Sequence, residues 1–346
     1  MKTSSLALLA SIATLSFVAG TAQAAPKVVA SIKPVHSLVA SIMAGVGEPD
    51  LIVQGAASPH TYSLKPSNAR ALEQADVIVW VGHGLEAFLD KPLQALGSKA
   101  KIVELEDAPG LELLAFREGG AFEAHDHGEH AGHDHAGDAE AAGHDESGHQ
   151  HSEEEHAKGE HAEGEHAGHE DHDHGTHDLH VWLNPMNAKA MASAIEAALV
   201  EADPDNAETY KTNTAALLVS LDQLDKELAE QVAPIKDKPF VVFHDAYQYF
   251  EHRYDVRVAG SITVSPETMP GADRVSQMHA KIRELGAACV FAEPQFEPRL
   301  VNVVIEGTEA KSGTLDPEGA NLPEGPDFYP QLMRNIASSL RDCLGT

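Results

Sequence analysis

Val77-Ile78-Val79-Trp80-Val81 carries no charged side chain, and a strand laid through it buries both of its faces. Its sequence neighbours supply the cover. Pro66 opens a helical stretch through Ala71 and Leu72, and Leu85 to Leu96 reads as a helix on the far side. Ile102-Val103-Glu104-Leu105 follows as a further strand. Upstream, Val28-Val29-Ala30-Ser31 reads as a first strand, and Val35, Leu38, Val39 and Ile42 then recur at helical spacing until Gly45 and Gly47. Leu51-Ile52-Val53 is a second short apolar run, and Gly55 to Lys65 is irregular. Strands apolar on both faces that alternate with helices predict a parallel sheet covered on both sides, an α/β lobe over residues 25–118.

The alternation returns near the C-terminus. Phe240-Val241-Val242-Phe243, Val256-Arg257-Val258-Ala259, Ala288-Cys289-Val290-Phe291 and Lys311 to Leu315 read as strands. Tyr247 to His252, Asp273 to Leu285, Arg299 to Glu309 and a stretch ending near Leu344 read as helices, which makes residues 235–346 a second α/β lobe. Between the lobes, Asn184 is an N-cap with Pro185 at the first helical position, and Met191, Ile195 and Leu199 follow at spacing four. Residues 179–203 are thus a return segment and helix of the first lobe. Asp203-Pro204 repeats the start signal, and Leu217, Leu221, Leu224, Leu228 and Val232 form one stripe before Pro234. Over residues 204–234 this helix would span roughly 45 Å. The expected architecture is α/β: two lobes with parallel-type sheets covered by helices, joined by one long rigid helix.

Residues 119–178 break the pattern. They hold fifteen of the chain's 22 histidines: His125, His127, His130, His133, His135, His144, His149, His151, His156, His161, His166, His169, His172, His174 and His177. Eighteen acidic residues lie between Glu123 and Asp178 against the single Lys158, which accounts for about −17 of the net charge of −30. No large apolar residue occurs between Phe122 and Leu179, so nothing there offsets the entropy of ordering the chain. The segment reads as a disordered acidic loop that binds metal through imidazole, the commonest biological ligand for borderline transition metals. A solvated linker that serves solubility does not account for that density of histidine.

Lys2, the apolar run Leu6 to Val18 and Ala22-Gln23-Ala24 form a secretory signal peptide over residues 1–24. The run falls short of the ~18 apolar residues of a spanning helix, and no cysteine stands at the cleavage site to carry a lipid anchor. Export makes Cys289 and Cys343 a candidate disulfide, with two buried thiols as the alternative. The acidic surface argues against nucleic acid as a partner.

Three histidines outside the loop stand where elements meet turns. His60 lies in Ser58-Pro59-His60-Thr61-Tyr62, His180 lies where the loop rejoins the fold, and His244 follows a strand directly. Asp316, in Thr314-Leu315-Asp316-Pro317, ends the last strand of the second lobe. In open α/β sheets the carboxyl ends of strands bind ligands, and three imidazoles with a carboxylate or water make a tetrahedral zinc site. His36, His83, His252 and His279 are read as ordinary core or surface histidines. His83, between Gly82 and Gly84 at a strand end, is the one to watch.

Ser58-Pro59-His60 with Tyr62-Ser63-Leu64, the acidic His-rich insertion and His180-Val181-Trp182-Leu183-Asn184-Pro185 resemble the ZnuA-type periplasmic zinc-binding proteins. Phe243-His244-Asp245-Ala246-Tyr247, Phe291-Ala292-Glu293-Pro294-Gln295 and Thr314-Leu315-Asp316-Pro317 look like the same family, so the resemblance runs through the whole mature chain. It implies zinc held in a cleft between two lobes and delivered to an inner-membrane ABC importer from the periplasm. Carried over by position, His60, His180 and His244 would be the zinc ligands, and the family pattern also supports the Cys289–Cys343 bridge. Some zinc members place an acid just before the first histidine; Pro59 here leaves Asp316 or water as the fourth ligand. The manganese-type relatives use a carboxylate at the third position, and an imidazole there shifts preference toward zinc. Glu293 would support a ligand or serve the fold.

A zinc enzyme is the competing reading, since three histidines with an open position also describe catalytic sites. No H-E-x-x-H or G-x-S-x-G occurs, and no nucleophile–base pair suggests itself, so no catalytic residue is assigned. A metal buffer or adhesin, with the loop as the working part, is the third. The transport reading expects a monomer, a tight cleft site, and a loop that collects zinc weakly or senses its supply.

Overall fold

The computed structural model describes residues 25–117, 122, 176–263, 270–296 and 299–345. The signal peptide expected over 1–24 and the loop histidines from His125 to His174 lie outside the described residues.

In the first lobe, β1 (Val28–Ala30), β2 (Asp50–Leu51), β3 (Val77–Trp80) and β4 (Lys101–Glu104) form an all-parallel sheet in the order β2-β1-β3-β4. β1 and β3 are buried at every position, as strands covered on both faces must be. Helices α1 (Lys33–Ile42), α2 (Pro66–Gln74) and α3 (Asp90–Leu96) connect these strands. The single helix expected over Leu85–Leu96 is broken into a 3-10 turn at Ala87–Leu89 and the short α3. The lobe is completed from beyond the insertion by α4 (Pro185–Ala202), where the Asn184 side chain accepts the Met186 N–H at 2.9 Å and Pro185 fills the first turn.

The insertion has a structured neck. β5 (Leu114–Ala115) and β6 (His177–Asp178) pair antiparallel, and Phe116 donates its N–H to the Thr176 carbonyl at 3.1 Å. The boundary read at residue 178 is therefore late by two residues. His177 and Asp178 belong to a strand, because backbone pairing with Leu114 and Ala115 supplies what their polar side chains conceal from an apolar-pattern reading.

α5 (Ala207–Val232) is the linking helix, 26 residues flanked by 3-10 turns at Pro204–Asn206 and Ala233–Ile235. It buries Tyr210, Leu221, Leu224, Leu228 and Val232. The second lobe carries β7 (Phe240–His244), α6 (Gln248–Tyr254), β8 (Val258–Thr263), α7 (Ala272–Leu285), β9 (Cys289–Ala292), α8 (Arg299–Ile305), β10 (Lys311–Thr314) and α9 (Phe328–Leu344). Its strands are again all parallel, ordered β10-β9-β7-β8. β8 begins two residues later than expected and runs further, since Val256 and Arg257 precede the pairing. Cys289 on β9 and Cys343 on α9 form a disulfide with Cα atoms 6.2 Å apart. At Gly313 a Cβ would stand 2.5 Å from the Phe291 ring, so only glycine lets β10 lie this close.

One apolar cluster extends from Val28 through α4 and α5 to Leu344, across both lobes. Polar contacts cross with it. Lys33 Nζ donates to the carbonyls of Gly319 and Ala320 at 3.0 Å, Trp182 Nε1 donates to the Pro317 carbonyl at 2.9 Å, and Tyr329 Oη donates to the Trp182 carbonyl at 2.7 Å. A continuous core of this kind opposes wide separation of the lobes. Among the described residues no helix is long and apolar enough to cross a membrane.

Candidate metal centre

Each of the three histidines is placed by a different device. Pro59 opens a 3-10 turn, Pro59–Thr61, that turns His60 toward the cleft. His180 stands just before the turn Val181–Leu183, held between β6 and the capped start of α4. His244 is the last residue of β7, at the carboxyl end of the second lobe's sheet. The first two come from one lobe and the third from the other.

Their Nε2 atoms converge. His60 and His180 Nε2 are 3.3 Å apart, as are His244 and His180 Nε2, and the three ligand atoms lie within 4.8 Å of one another. Zn–N bonds of ~2.0–2.1 Å in a tetrahedron separate their nitrogens by about 3.3–3.4 Å. The opposite ring faces are anchored by carboxylates. His180 Nδ1 donates to Asp178 Oδ1 at 2.7 Å, and His244 Nδ1 donates to Glu293 Oε1 at 2.6 Å. In each neutral ring the proton is thereby held at Nδ1, leaving the Nε2 lone pairs facing each other across 3.3 Å. Such an arrangement is satisfied by a proton shared between two rings or by a metal ion held among the three.

The electrostatics support that reading. Burial in the cleft, then the neighbouring His180 and His244 rings, hold His60 well below the ordinary histidine value, so it is neutral and ligand-ready at pH 7. Burial opposes charge on His244, but the charge and hydrogen bond of Glu293, together with the nearby Asp245 and Asp178 carboxylates, outweigh it and raise the ring above the ordinary histidine value.

Asp316 does not join the three. Its Oδ1 accepts from Gln295 Nε2 at 2.8 Å and the Glu318 N–H at 3.1 Å, and its Oδ2 accepts the Ala320 N–H at 2.6 Å. The carboxylate is hydrogen-bonded into the turn after β10, which, of the two fourth ligands expected, Asp316 or water, favours water. Glu293 falls on the His244 ring, and Asp178 is a partner the sequence reading passed over. The motif Asp178-Leu179-His180 was the available signal, since an acid two residues before a histidine can reach its Nδ1. The remaining histidines are met locally: His83 Nδ1 donates to Asp90 at 2.7 Å, and His36 and His279 donate to the carbonyls of Pro49 and Glu306 at 3.0 and 2.8 Å. His252 lies 3.4 Å from Glu112. His177, half-buried on β6, has its Nδ1 3.0 Å from Thr176 Oγ1.

Residues 28–343 match the family model described as zinc-uptake complex component A, periplasmic, ZnuA. The chain belongs to the ZnuA family. It is 59% identical over 317 residues to the high-affinity zinc uptake system protein ZnuA of Brucella abortus (strain 2308), covering 92% of this chain and 91% of that one. It is 41% identical over 321 residues to the protein of that name from Paracoccus denitrificans, covering 92% of each. Among solved structures, a ZnuA crystal structure superposes with a TM-score of 0.66 at 24% identity, covering 91% of this chain and 99% of that one. The periplasmic zinc-binding protein TroA of Treponema pallidum gives 0.70 at 17% identity, covering 92% and 99%, a likeness of fold. ZnuA proteins are binding components of zinc uptake, and the enzyme reading falls away.

Proposed function

We propose that the chain is a periplasmic zinc-capture protein that holds Zn2+ on His60, His180 and His244 and passes it to an inner-membrane ABC permease. The carrying observation is the 3.3 Å spacing of Nε2 atoms whose rings are fixed from behind by Asp178 and Glu293. Three nitrogen donors suit zinc over hard, oxygen-seeking cations. Water takes the fourth position, since Asp316 is engaged elsewhere. Residues 1–24 are removed on export, and the mature chain acts as a monomer. Lobes 25–118 with 179–203, and 235–346, stay close to their present arrangement because helix 204–234 and the shared core brace them. The histidines of the insertion form weaker auxiliary sites that collect zinc for the cleft or report its supply, since the cleft brings its three donors together in advance of binding.

The test is zinc titration against a competing chelator, for the mature chain and for one lacking residues 123–175, which keeps the β5–β6 neck. One tight site is expected in both, weakened about 100-fold or more by His244→Ala. Loss of tight binding with the insertion would instead make the protein a buffer.

A further inference from the structure

The neck of the insertion is fastened to the opposite lobe at the metal-bearing segments. Tyr249 on α6 accepts the Leu114 N–H at 3.0 Å and donates its hydroxyl to the Asp178 carbonyl at 2.6 Å, so one buried side chain binds both strands of the neck. Gln248 Nε2 donates to the Ala115 carbonyl at 3.1 Å. Arg117, just beyond β5, directs Nε at Asp245 Oδ2 at 2.9 Å and Oδ1 at 3.1 Å, and pairs its Nη1 with Glu251. The ring of Phe122 covers the guanidinium at 3.9 Å.

These contacts bear on the site through the chain itself. Asp178, whose carbonyl Tyr249 holds, is the residue whose carboxylate orients His180. Asp245, which Arg117 holds, is covalently next to His244. His180 and His244 are the ligands contributed by opposite lobes, and a bound ion leaves most readily when they part. Parting them requires the neck to come away from α6.

We propose that Arg117 is a positioning residue for metal retention: with Tyr249 it clasps the insertion's neck to α6 and so sets how fast zinc leaves the three histidines. The inference rests on those histidines being the zinc site. The guanidinium meets Asp245 with two nitrogens, a geometry a lysine does not reproduce. With side chains 21% and 7% exposed, Arg117 and Asp245 are shielded enough for loss of one partner to act on the dissociation step.

The experiment is stopped-flow transfer of zinc from the full mature chain, loaded with one equivalent, to excess chelator. The cleft phase is the one that His180→Ala removes. Arg117→Ala and Asp245→Asn should each accelerate that phase by about tenfold or more, and the double variant should be little faster than either, because one pair is broken. Tyr249→Phe should act in the same direction. Arg334→Ala, which breaks a more exposed arginine–carboxylate pair with Glu227 between α9 and α5, should leave the phase unchanged. Release rates within about twofold of the parent in Arg117→Ala and Asp245→Asn overturn the clasp, whatever happens to their melting points. If Arg117→Ala does not fold, Arg117→Lys, which keeps the charge but loses the two-nitrogen grip on Asp245, decides in its place and should likewise release zinc faster. If no phase of the parent is removed by His180→Ala, the three-histidine site itself is wrong, and the clasp falls with it.

Discussion

Glu293→Gln isolates charge from shape at the centre. Glu293 is 3% exposed, and its Oε1 takes the His244 Nδ1–H at 2.6 Å. Glutamine has the same volume and can still accept that proton through its own Oε1, so the Nε2 lone pair stays aimed inward. What disappears is a negative charge roughly 7 Å from a bound dication, summed over one hydrogen bond, the ring and one Zn–N bond. The lost attraction is about 1 kcal/mol at the dielectric of water and about 5 kcal/mol at an effective value near 20. Outer carboxylates of metal-bound histidines are worth about 10–100-fold in affinity, which is about 1.4–2.7 kcal/mol and lies between those limits. Chelator competition should therefore show Glu293→Gln weaker for zinc by one to two orders of magnitude, with the metal-free protein melting within a few degrees of the parent. Glu293→Ala should be worse, since it also leaves Nδ1–H without an acceptor. A glutamine variant that folds and binds within about threefold of the parent would refute the idea that this carboxylate works through the imidazole.

His60→Ala and His244→Ala should each cost more than the outer carboxylate, about 100-fold or more by the same competition, because a donor is lost outright; equal or smaller losses would move the site elsewhere. Glu86 is fully buried, and burial pushes its carboxyl from 4.5 up to about 7. The folded state then binds a proton that the unfolded chain has released, so this group's stabilisation is complete below about pH 4.5 and is lost as pH rises to about 7, by roughly 3 kcal/mol. Glu86→Gln should flatten urea midpoints between pH 5 and 7.5, and an unchanged slope would remove Glu86 as the cause. Replacing Cys289 and Cys343 together by alanine opens a loop of 54 residues' separation and should lower stability by up to about 4 kcal/mol in denaturant titration, with zinc affinity little changed.

Much of the fold was legible because burial writes itself into residue type. Val77–Trp80 and Phe240–Phe243 are apolar throughout, and both became central strands of parallel sheets. Asn184-Pro185 marked the start of α4 because an N-cap acceptor and a proline satisfy the same unpaired backbone groups. His60, His180 and His244 were legible as candidates from their places at element ends. What escaped was set by long-range pairing. His177-Asp178 has no apolar signature, and its strand exists only because Leu114-Ala115 arrives opposite it. Asp316 shares its strand-end placement with His244, yet its oxygens are captured by the N–H groups of its own turn, a local competition that position along a strand does not reveal. The Arg117–Asp245 pair joins residues 128 apart, beyond any pattern of spacing.

The β5–β6 neck also bears on how this protein can change over generations. The paired strands of the neck bring Phe116 and Thr176 together, so the ends of the insertion are fixed by the fold whatever the length of chain between residues 123 and 175. Doubling such an excursion costs only about 0.6 kcal/mol in closure entropy. The same freedom makes the segment a natural place to graft a reporter domain, whose signal would be carried a short distance from the ion without being part of the fold that holds it.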